Sequence, residues 1–271
     1  MDLNDRLPHG LLLLGCGNMG SAMLQGWLDQ GLTAKNVWVI DPHPSEWVHS
    51  IDVHVNAELP SKVSVALLAV KPQIMQEALP SLAALFRSKT VFLSIAAGIS
   101  IEAYESILGS ASIIVRAMPN TPAAISQGIT ALIGNSNADD VALELAETLL
   151  SAIGETVRLE RESQMDAVTG LSGSGPAYVF FLIDALAAAG RKQGLSEDMA
   201  MSLAKATVAG AGALAKMSEQ TPEQLRLNVT SPNGTTQAGL EVLMSGNNGL
   251  VPLIKKTVAR ATERSKELSN G

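Results

Sequence analysis

From residue 10 onward, short unbroken apolar runs alternate with segments whose apolar residues recur at helical spacing. The run at 11–14 predicts a first strand. Residues 19–30 follow as a helix, with Met23, Leu24, Trp27 and Leu28 on one face. Further strands are predicted at 37–40, 65–70, 91–95, 113–117 and 128–134, then a helix at 138–153 ended by Gly154, and an edge strand at 156–159. Unbroken apolar strands are those covered on both faces, so the alternation predicts a doubly wound, largely parallel α/β domain over residues 1–159. Beyond residue 159 only helical patterns remain, at 162–171, 176–192, 197–218, 222–228, 235–244 and 249–268, several opened by Ser, Thr or Pro. Residues 160–271 are therefore expected to form a separate all-α domain.

Composition narrows this picture. A length of 271 residues suits one or two domains with a core of ordinary size. Apolar residues make up 46% of the chain but aromatic ones only 3%, so Ala, Leu, Val and Gly must fill the interior. The segment 197–218 is especially rich in small residues, including Ala206, Ala209, Gly210, Ala211 and Gly212. Glycine inside a helix costs roughly 1 kcal/mol relative to Ala, so a close helix contact should compensate, either within one subunit or across a dimer. The net charge of −7, with no Lys/Arg cluster, argues against a nucleic-acid surface. Cys16 is the single cysteine, which excludes an intrachain disulfide, and the histidines at 9, 43, 49 and 54 lack metal-ligand spacing; no metal is expected. The longest apolar runs, such as 65–70, fall short of the ~20 residues that span a bilayer. The polar start of the chain, with two Asp, is unlike a signal peptide, and a cytoplasmic protein is expected.

Candidate chemistry begins at Gly15-Cys16-Gly17-Asn18-Met19-Gly20. Directly after a strand and at the start of a helix, this GxGxxG pattern predicts a dinucleotide cradle of the Rossmann type. Gly15 permits the tight turn, Gly17 lets the backbone approach the pyrophosphate, and Gly20 lets the helix pack on the sheet. Leu14, Cys16, Asn18 and Met19 complete the loop. Asp41, at the end of the second strand, stands where a carboxylate hydrogen-bonds a ribose 2′-hydroxyl, which favours NADH over NADPH. Asp41-Pro42-His43-Pro44 also reads as a simple turn capped by Asp41. Ala69-Val70-Lys71-Pro72 and Ala96-Ala97-Gly98 fall at strand ends and are candidate walls of the cofactor site, with Lys71 held extended by Pro72. In the second half, the run from Asn228 to Thr236 sets Ser, Thr and Asn beside Gly at a helix start, an arrangement that receives a small carboxylate.

With these residues assembled, the chain closely resembles the pyrroline-5-carboxylate reductases. The resemblance rests on the Gly15 to Gly20 loop, on Ala69-Val70-Lys71-Pro72, and on Arg116-Ala117-Met118-Pro119-Asn120-Thr121-Pro122. It extends through Thr169-Gly170-Leu171-Ser172-Gly173-Ser174-Gly175-Pro176-Ala177-Tyr178 and Ser231-Pro232-Asn233-Gly234-Thr235-Thr236. It implies a Rossmann domain followed by an α-helical dimerisation domain, a homodimer or an assembly of dimers, and reduction of (S)-1-pyrroline-5-carboxylate to L-proline by NADPH or NADH. It also implies that Thr236 meets the ring nitrogen and that the N–H groups of Thr235 and Thr236 hold the substrate carboxylate. By the same resemblance Glu162 lines the substrate pocket, Asn228 contacts the cofactor and Asn56 approaches its ribose.

Two departures stand out. Asn233 replaces a glycine common in the family, and Asn accepts a left-handed backbone better than most residues. Asp41-Pro42 stands where many members carry a small polar or basic residue, which bears on the family's usual NADPH. The β-hydroxyacid dehydrogenases share the overall plan, but their catalytic Lys and Asn positions are held here by Val179 and Leu182. A cofactor-binding sensor without catalysis is the remaining alternative, and it would predict a degraded Asn228 to Thr236 segment.

Overall fold

The computed structural model describes residues 2–86 and 89–269. Its sheet has eight strands: β1 (Leu11–Leu14), β2 (Val37–Ile40), β3 (His54–Val55), β4 (Val65–Leu68), β5 (Val91–Ser94), β6 (Ile113–Met118), β7 (Gly128–Gly134) and β8 (Gly154–Arg158). Their order is β3-β2-β1-β4-β5-β6-β7-β8. Strands β3 to β6 in that order run parallel, β7 is antiparallel to β6, and β8 is parallel to β7.

The unbroken apolar strands are buried on both faces as their composition requires. Leu11 and Leu13 enter one core with Val65, Leu67, Val91 and Leu93. Their neighbours Leu12, Leu14, Ala66, Leu68 and Phe92 enter the other. The strand period of two thus divides a single apolar run between two cores. The first core takes one face of the helix Asn18–Asp29 through Met23, Leu24 and Trp27. The fully buried indole of Trp27 donates to the Leu149 carbonyl at 2.7 Å, which ties this helix to the end of Asp140–Leu150.

Several elements lie outside the sequence expectation. β3 is an edge strand of two residues, too short for any periodicity to register. The Ser100-capped helix Ile101–Leu108 lies in a region for which the sequence reading named no element. The helix expected at 162–171 is instead a 3-10 turn (Glu162–Gln164), a short α segment (Met165–Val168) and a π turn (Thr169–Gly173), where the glycines loosen the regular ladder.

Chain contacts divide the described residues into two compact units. One runs up to Gly173 and resumes at Ala261; the other is Ser174–Arg260. This partition differs from the 1–159 and 160–271 segments because Glu162–Gln164 and the following turns pack with the sheet, as does the end of the last helix, where the Ser265 hydroxyl donates to Asp166 at 2.7 Å.

Within the second unit, the helices Gly175–Lys192 and Glu197–Met217 share a small core of Ala187, Ala200 and Ala204. A Cβ on Gly190 would lie 3.2 Å from Ala200 Cβ, so glycine allows the close approach there. Gly210 and Gly212 behave differently: nothing among the described residues comes within 4 Å of a Cβ built on either. The helical stretch Glu162–Lys192 is also long and apolar enough, by length and composition, to cross a membrane, and most of its apolar window is exposed. The unbroken apolar run inside it, 177–183, still falls short of a bilayer-spanning length, as expected.

Candidate active site

β1 and β4 are neighbours, although two strands separate them in sequence, which makes their carboxyl ends the point where the sheet reverses direction of build. Ligands in doubly wound sheets bind there. Gly15 leaves β1 with φ of 91°, and a Cβ on it would meet Ala69 C and Val70 N at 2.9 Å. Only glycine permits both the turn and the contact with the loop after β4. On Gly20 a Cβ would lie 2.8 Å from the Gly15 carbonyl oxygen, so this residue sets the helix close against the strand.

Gly17 stands apart because a Cβ there would meet nothing within 4 Å among the described residues. Its lack of a side chain serves open space rather than packing, which is the cradle a pyrophosphate needs. Gly17 is also the N-cap of the helix Asn18–Asp29 and offers no side-chain cap. The N–H groups of Asn18 and Met19 have no hydrogen-bond acceptor among the described residues. Unpaired N–H groups and the positive end of the helix dipole suit an anion. The loop therefore fits a dinucleotide. Cys16 contributes backbone and bulk: its side chain is buried in the first core, and burial pushes its thiol up.

The surrounding loops take fixed positions. Gly15 N–H donates to the Ile40 carbonyl and Ala69 N–H to the Leu14 carbonyl, both at 2.8 Å. Asp41 accepts from Cys16 N–H at 2.7 Å through Oδ2 and from His43 N–H at 2.8 Å through Oδ1. The second bond is the turn cap foreseen from the sequence; the first ties the same carboxylate to the glycine loop. Asn56, left-handed at φ 49°, accepts from Asp41 N–H at 3.0 Å and donates to the Asp41 carbonyl at 2.8 Å. Its amide thus clamps the backbone of Asp41. Lys71 is extended (φ −61°, ψ 142°), as the following Pro72 requires, and its side chain is exposed. Val70 and Ala97 are half-buried at neighbouring strand ends.

Glu162 takes part in a network that the sequence does not reveal. Its Oε1 accepts from Arg116 Nη1 at 2.6 Å and from the Ile101 N–H, at the start of the helix Ile101–Leu108, at 2.8 Å. Beside it the Tyr104 hydroxyl is hydrogen-bonded to Ser94 at the end of β5, and burial pushes Tyr104 up to about 12. The available signal is Arg116 itself, a lone charge inside the apolar strand Ile113–Met118, which a buried position would oblige to find a carboxylate. Within the same unit Asn120 donates to the Ser172 carbonyl at 3.2 Å, joining two motifs far apart in sequence.

In the other unit, Thr235 and Thr236 begin the helix Thr235–Leu243, whose N-cap Gly234 makes no side-chain cap. Neither threonine N–H has a hydrogen-bond acceptor among the described residues, and both side chains are exposed. Asn233 adopts φ of 58°, the left-handed conformation that lets it stand where the family commonly has glycine. The Asn228 amide is engaged locally: it accepts from Gln224 at 3.0 Å and donates to Gln220 at 2.9 Å.

The doubly wound sheet, the open glycine cradle at its switch point and the uncapped helix start define an oxidoreductase that uses a nicotinamide dinucleotide. Two family models match: one described as pyrroline-5-carboxylate reductase dimerisation, over residues 162–268, and one described as NADP oxidoreductase, coenzyme F420-dependent, over residues 11–98. The chain is 39% identical over 265 residues to a pyrroline-5-carboxylate reductase of Pseudomonas aeruginosa, covering 96% of each chain. It is 37% identical to that of Methanosarcina acetivorans, covering 94% of this chain and 96% of the other. The solved pyrroline-5-carboxylate reductase of Coxiella burnetii superposes with a TM-score of 0.89 at 34% identity, covering 96% of this chain and 98% of that one. That of Plasmodium falciparum, solved with NADP bound, superposes with a TM-score of 0.81 at 29% identity over the same shares. The chain belongs to the pyrroline-5-carboxylate reductase family.

Proposed function

We propose that this protein reduces (S)-1-pyrroline-5-carboxylate to L-proline with hydride from NAD(P)H. The observation that carries the reading is the pair of unpaired N–H groups on Thr235 and Thr236, behind the left-handed turn at Asn233. They are the donors that a small carboxylate requires. Family membership names which carboxylate.

When bound, the reduced nicotinamide supplies the hydride. The carbon of a cyclic imine accepts it, and the ring nitrogen takes a proton, so the C=N bond becomes an amine. The chain's part is positioning. Thr235 and Thr236 N–H groups anchor the carboxylate, and the Thr236 hydroxyl orients the ring nitrogen, which fixes the face presented for reduction. A threonine hydroxyl is a poor acid at neutral pH, so the proton comes from solvent or arrives on the substrate.

On the cofactor side, Leu14, Gly15, Cys16, Gly17, Asn18, Met19 and Gly20 form the phosphate cradle. Asp41, Asn56, Ala69, Val70, Lys71, Pro72 and Ala97 complete that contact set in the sheet unit, and for Asn228 a cofactor contact is proposed from the family resemblance alone. Glu162 lines the substrate pocket through Oε2, since Oε1 is taken by Arg116 and Ile101. We assign cofactor binding to residues 1–159 and dimerisation with substrate binding to 160–271. The unfilled space at Gly210 and Gly212, together with exposed Phe180, Phe181 and Met217, supports a homodimer or a dimer-based assembly. The cytoplasm, which holds the reduced nicotinamide pool, is the expected location.

The test is a direct assay: purified protein, pyrroline-5-carboxylate and either NADH or NADPH, followed at the nicotinamide absorbance. Substrate-dependent oxidation is expected. No oxidation with either cofactor, in protein that still binds one of them, would leave a binding protein without catalysis.

A further inference from the structure

Gly98 lies in the loop that leaves β5, one of the walls of the cofactor site, and adopts a φ of 75°. Apart from its own chain neighbours, the three heavy atoms nearest to a Cβ built on it all belong to Leu268: the carbonyl oxygen at 3.5 Å, and the carbonyl carbon and Cβ at 3.6 Å. The bare face of this glycine is therefore filled by the last turn of the helix Leu250–Ser269. Three residues earlier, on the same side of that helix, Ser265 is only 5% exposed and its hydroxyl donates to Asp166 at 2.7 Å.

Asp166 belongs to the stretch that begins at Glu162, and Glu162 Oε1 accepts from the Ile101 N–H, where the β5 loop runs into its helix. The loop is fixed at its start by the sheet, where Ile95 N–H donates to the Leu68 carbonyl at 3.1 Å, and at its exit by Glu162. The helix end braces the middle of the loop through Leu268 and the stretch that pins its exit through Ser265.

β5 stands beyond β4 on one side of β1, whereas Asp41 follows β2 on the other. A dinucleotide with its pyrophosphate at Gly17 extends its two halves to either side of β1. With the adenosine ribose toward Asp41, the nicotinamide runs toward the ends of β4 and β5. The Gly98 loop thus borders the reacting half, where a misplacement of about 1 Å can cost on the order of a hundredfold in rate.

We propose that Ser265 and Leu268 are positioning residues for hydride transfer, the end of the helix Leu250–Ser269 acting as a strut that holds the Ala96-Ala97-Gly98 wall against the nicotinamide half of the cofactor. Both act through other residues, Asp166 and Gly98. The proposal deepens the reductase reading and rests on its cofactor assignment.

Two full-chain variants test it. Ser265→Ala combined with Leu268→Gly removes the hydroxyl anchor and the Cβ that meets Gly98. Asp166→Asn combined with Leu268→Ala keeps an acceptor for Ser265 and keeps that Cβ. Turnover and melting temperature are measured for each, with the dissociation constants of NADPH and of 2′-phospho-ADP-ribose, which lacks the nicotinamide. The first variant is expected to lose on the order of tenfold or more in turnover and to bind NADPH less tightly, with 2′-phospho-ADP-ribose binding unchanged. The second is expected to match the unaltered protein. Unchanged turnover and NADPH affinity in the first variant overturn the proposal, as does an equal weakening of both nucleotides, the mark of a merely structural contact. If the first variant does not fold, Ser265→Ala alone is judged by the same comparison. Absence of imine reduction by the unaltered protein removes the reductase reading, and the two dissociation constants then decide the strut by themselves. Failure of the unaltered protein to bind either nucleotide removes the cofactor assignment and the proposal with it.

Discussion

Oε1 of Glu162 lies 2.6 Å from Nη1 of Arg116, whose side chain is only 6% exposed, and the same oxygen accepts from the N–H that opens the helix Ile101–Leu108. One carboxylate atom therefore neutralises the buried charge of β6 and caps a helix of the sheet unit. Removing one partner of a buried pair costs far more than the pair contributes, because the survivor is left uncompensated. Glu162→Ala strands the buried guanidinium and should cost about 2–4 kcal/mol, discounted for the partial exposure of Glu162. Arg116→Met leaves a carboxylate that still has the Ile101 N–H and solvent, and should cost less. Urea unfolding of both variants tests this ranking; equal and negligible midpoint shifts would show the pair to be energetically inert.

The glycine loop separates packing from ligand space. Gly20→Ala pushes a methyl to 2.8 Å from the Gly15 carbonyl and should lower stability by about 1–3 kcal/mol. Gly17→Ala meets nothing within 4 Å among the described residues, so the melting temperature should hold while cofactor affinity falls by on the order of tenfold or more, about 1.4 kcal/mol. Thermal melts paired with cofactor titrations read both. A stable Gly17→Ala protein that binds cofactor normally would falsify the cradle assignment.

Thr236→Val preserves shape and removes the hydroxyl. Turnover should drop by on the order of tenfold or more, the worth of one oriented hydrogen bond, with the cofactor dissociation constant unchanged. Steady-state kinetics beside equilibrium cofactor binding check it. Turnover equal to that of the unaltered protein takes Thr236 out of the mechanism.

Tyr104 supplies a pH signature. Burial raises its phenol from 10 to about 12, which favours the neutral form in the folded state. Its contribution to stability is therefore complete below pH 10 and is lost as pH rises through about 12. Between those limits the unaltered protein should lose about 2–3 kcal/mol more than Tyr104→Phe, which cannot ionise. Unfolding free energies of the two proteins across alkaline pH give the comparison, and parallel curves would refute the burial argument.

Gly210→Leu places a bulky side chain where nothing among the described residues comes within 4 Å of a Cβ. The isolated fold should tolerate it, whereas a partner helix seated there would not. Sedimentation velocity should show the assembly weakened at least about tenfold, with helical content unchanged. Unaltered self-association would move the interface away from this stretch of Glu197–Met217.

Periodicity and turn chemistry are local, and to that extent the sequence determined this protein. The runs at 11–14 and 37–40 became strands with those bounds because unbroken apolar residues leave a strand nowhere but between two cores, and 128–134 became one with those bounds although Thr130 and its two glycines loosen the apolar pattern. The glycine spacing announced a cradle, and Asn233 announced a left-handed turn, because each residue's own backbone freedom sets those features. The extended Lys71 followed from its proline. What the tertiary structure decided is every meeting of distant residues. β3 is too short to carry a period and exists because β2 offers it an edge. Asp41 read as a ribose acceptor and also as a turn cap, and the bond to Cys16 became visible only when two strand ends were set side by side. Glu162 carried an expected role at a substrate pocket, and folding gave it Arg116 and Ile101 as partners. A single side chain's preference is written in its chemistry, but its partner is chosen by the sheet order that brings remote segments within 3 Å.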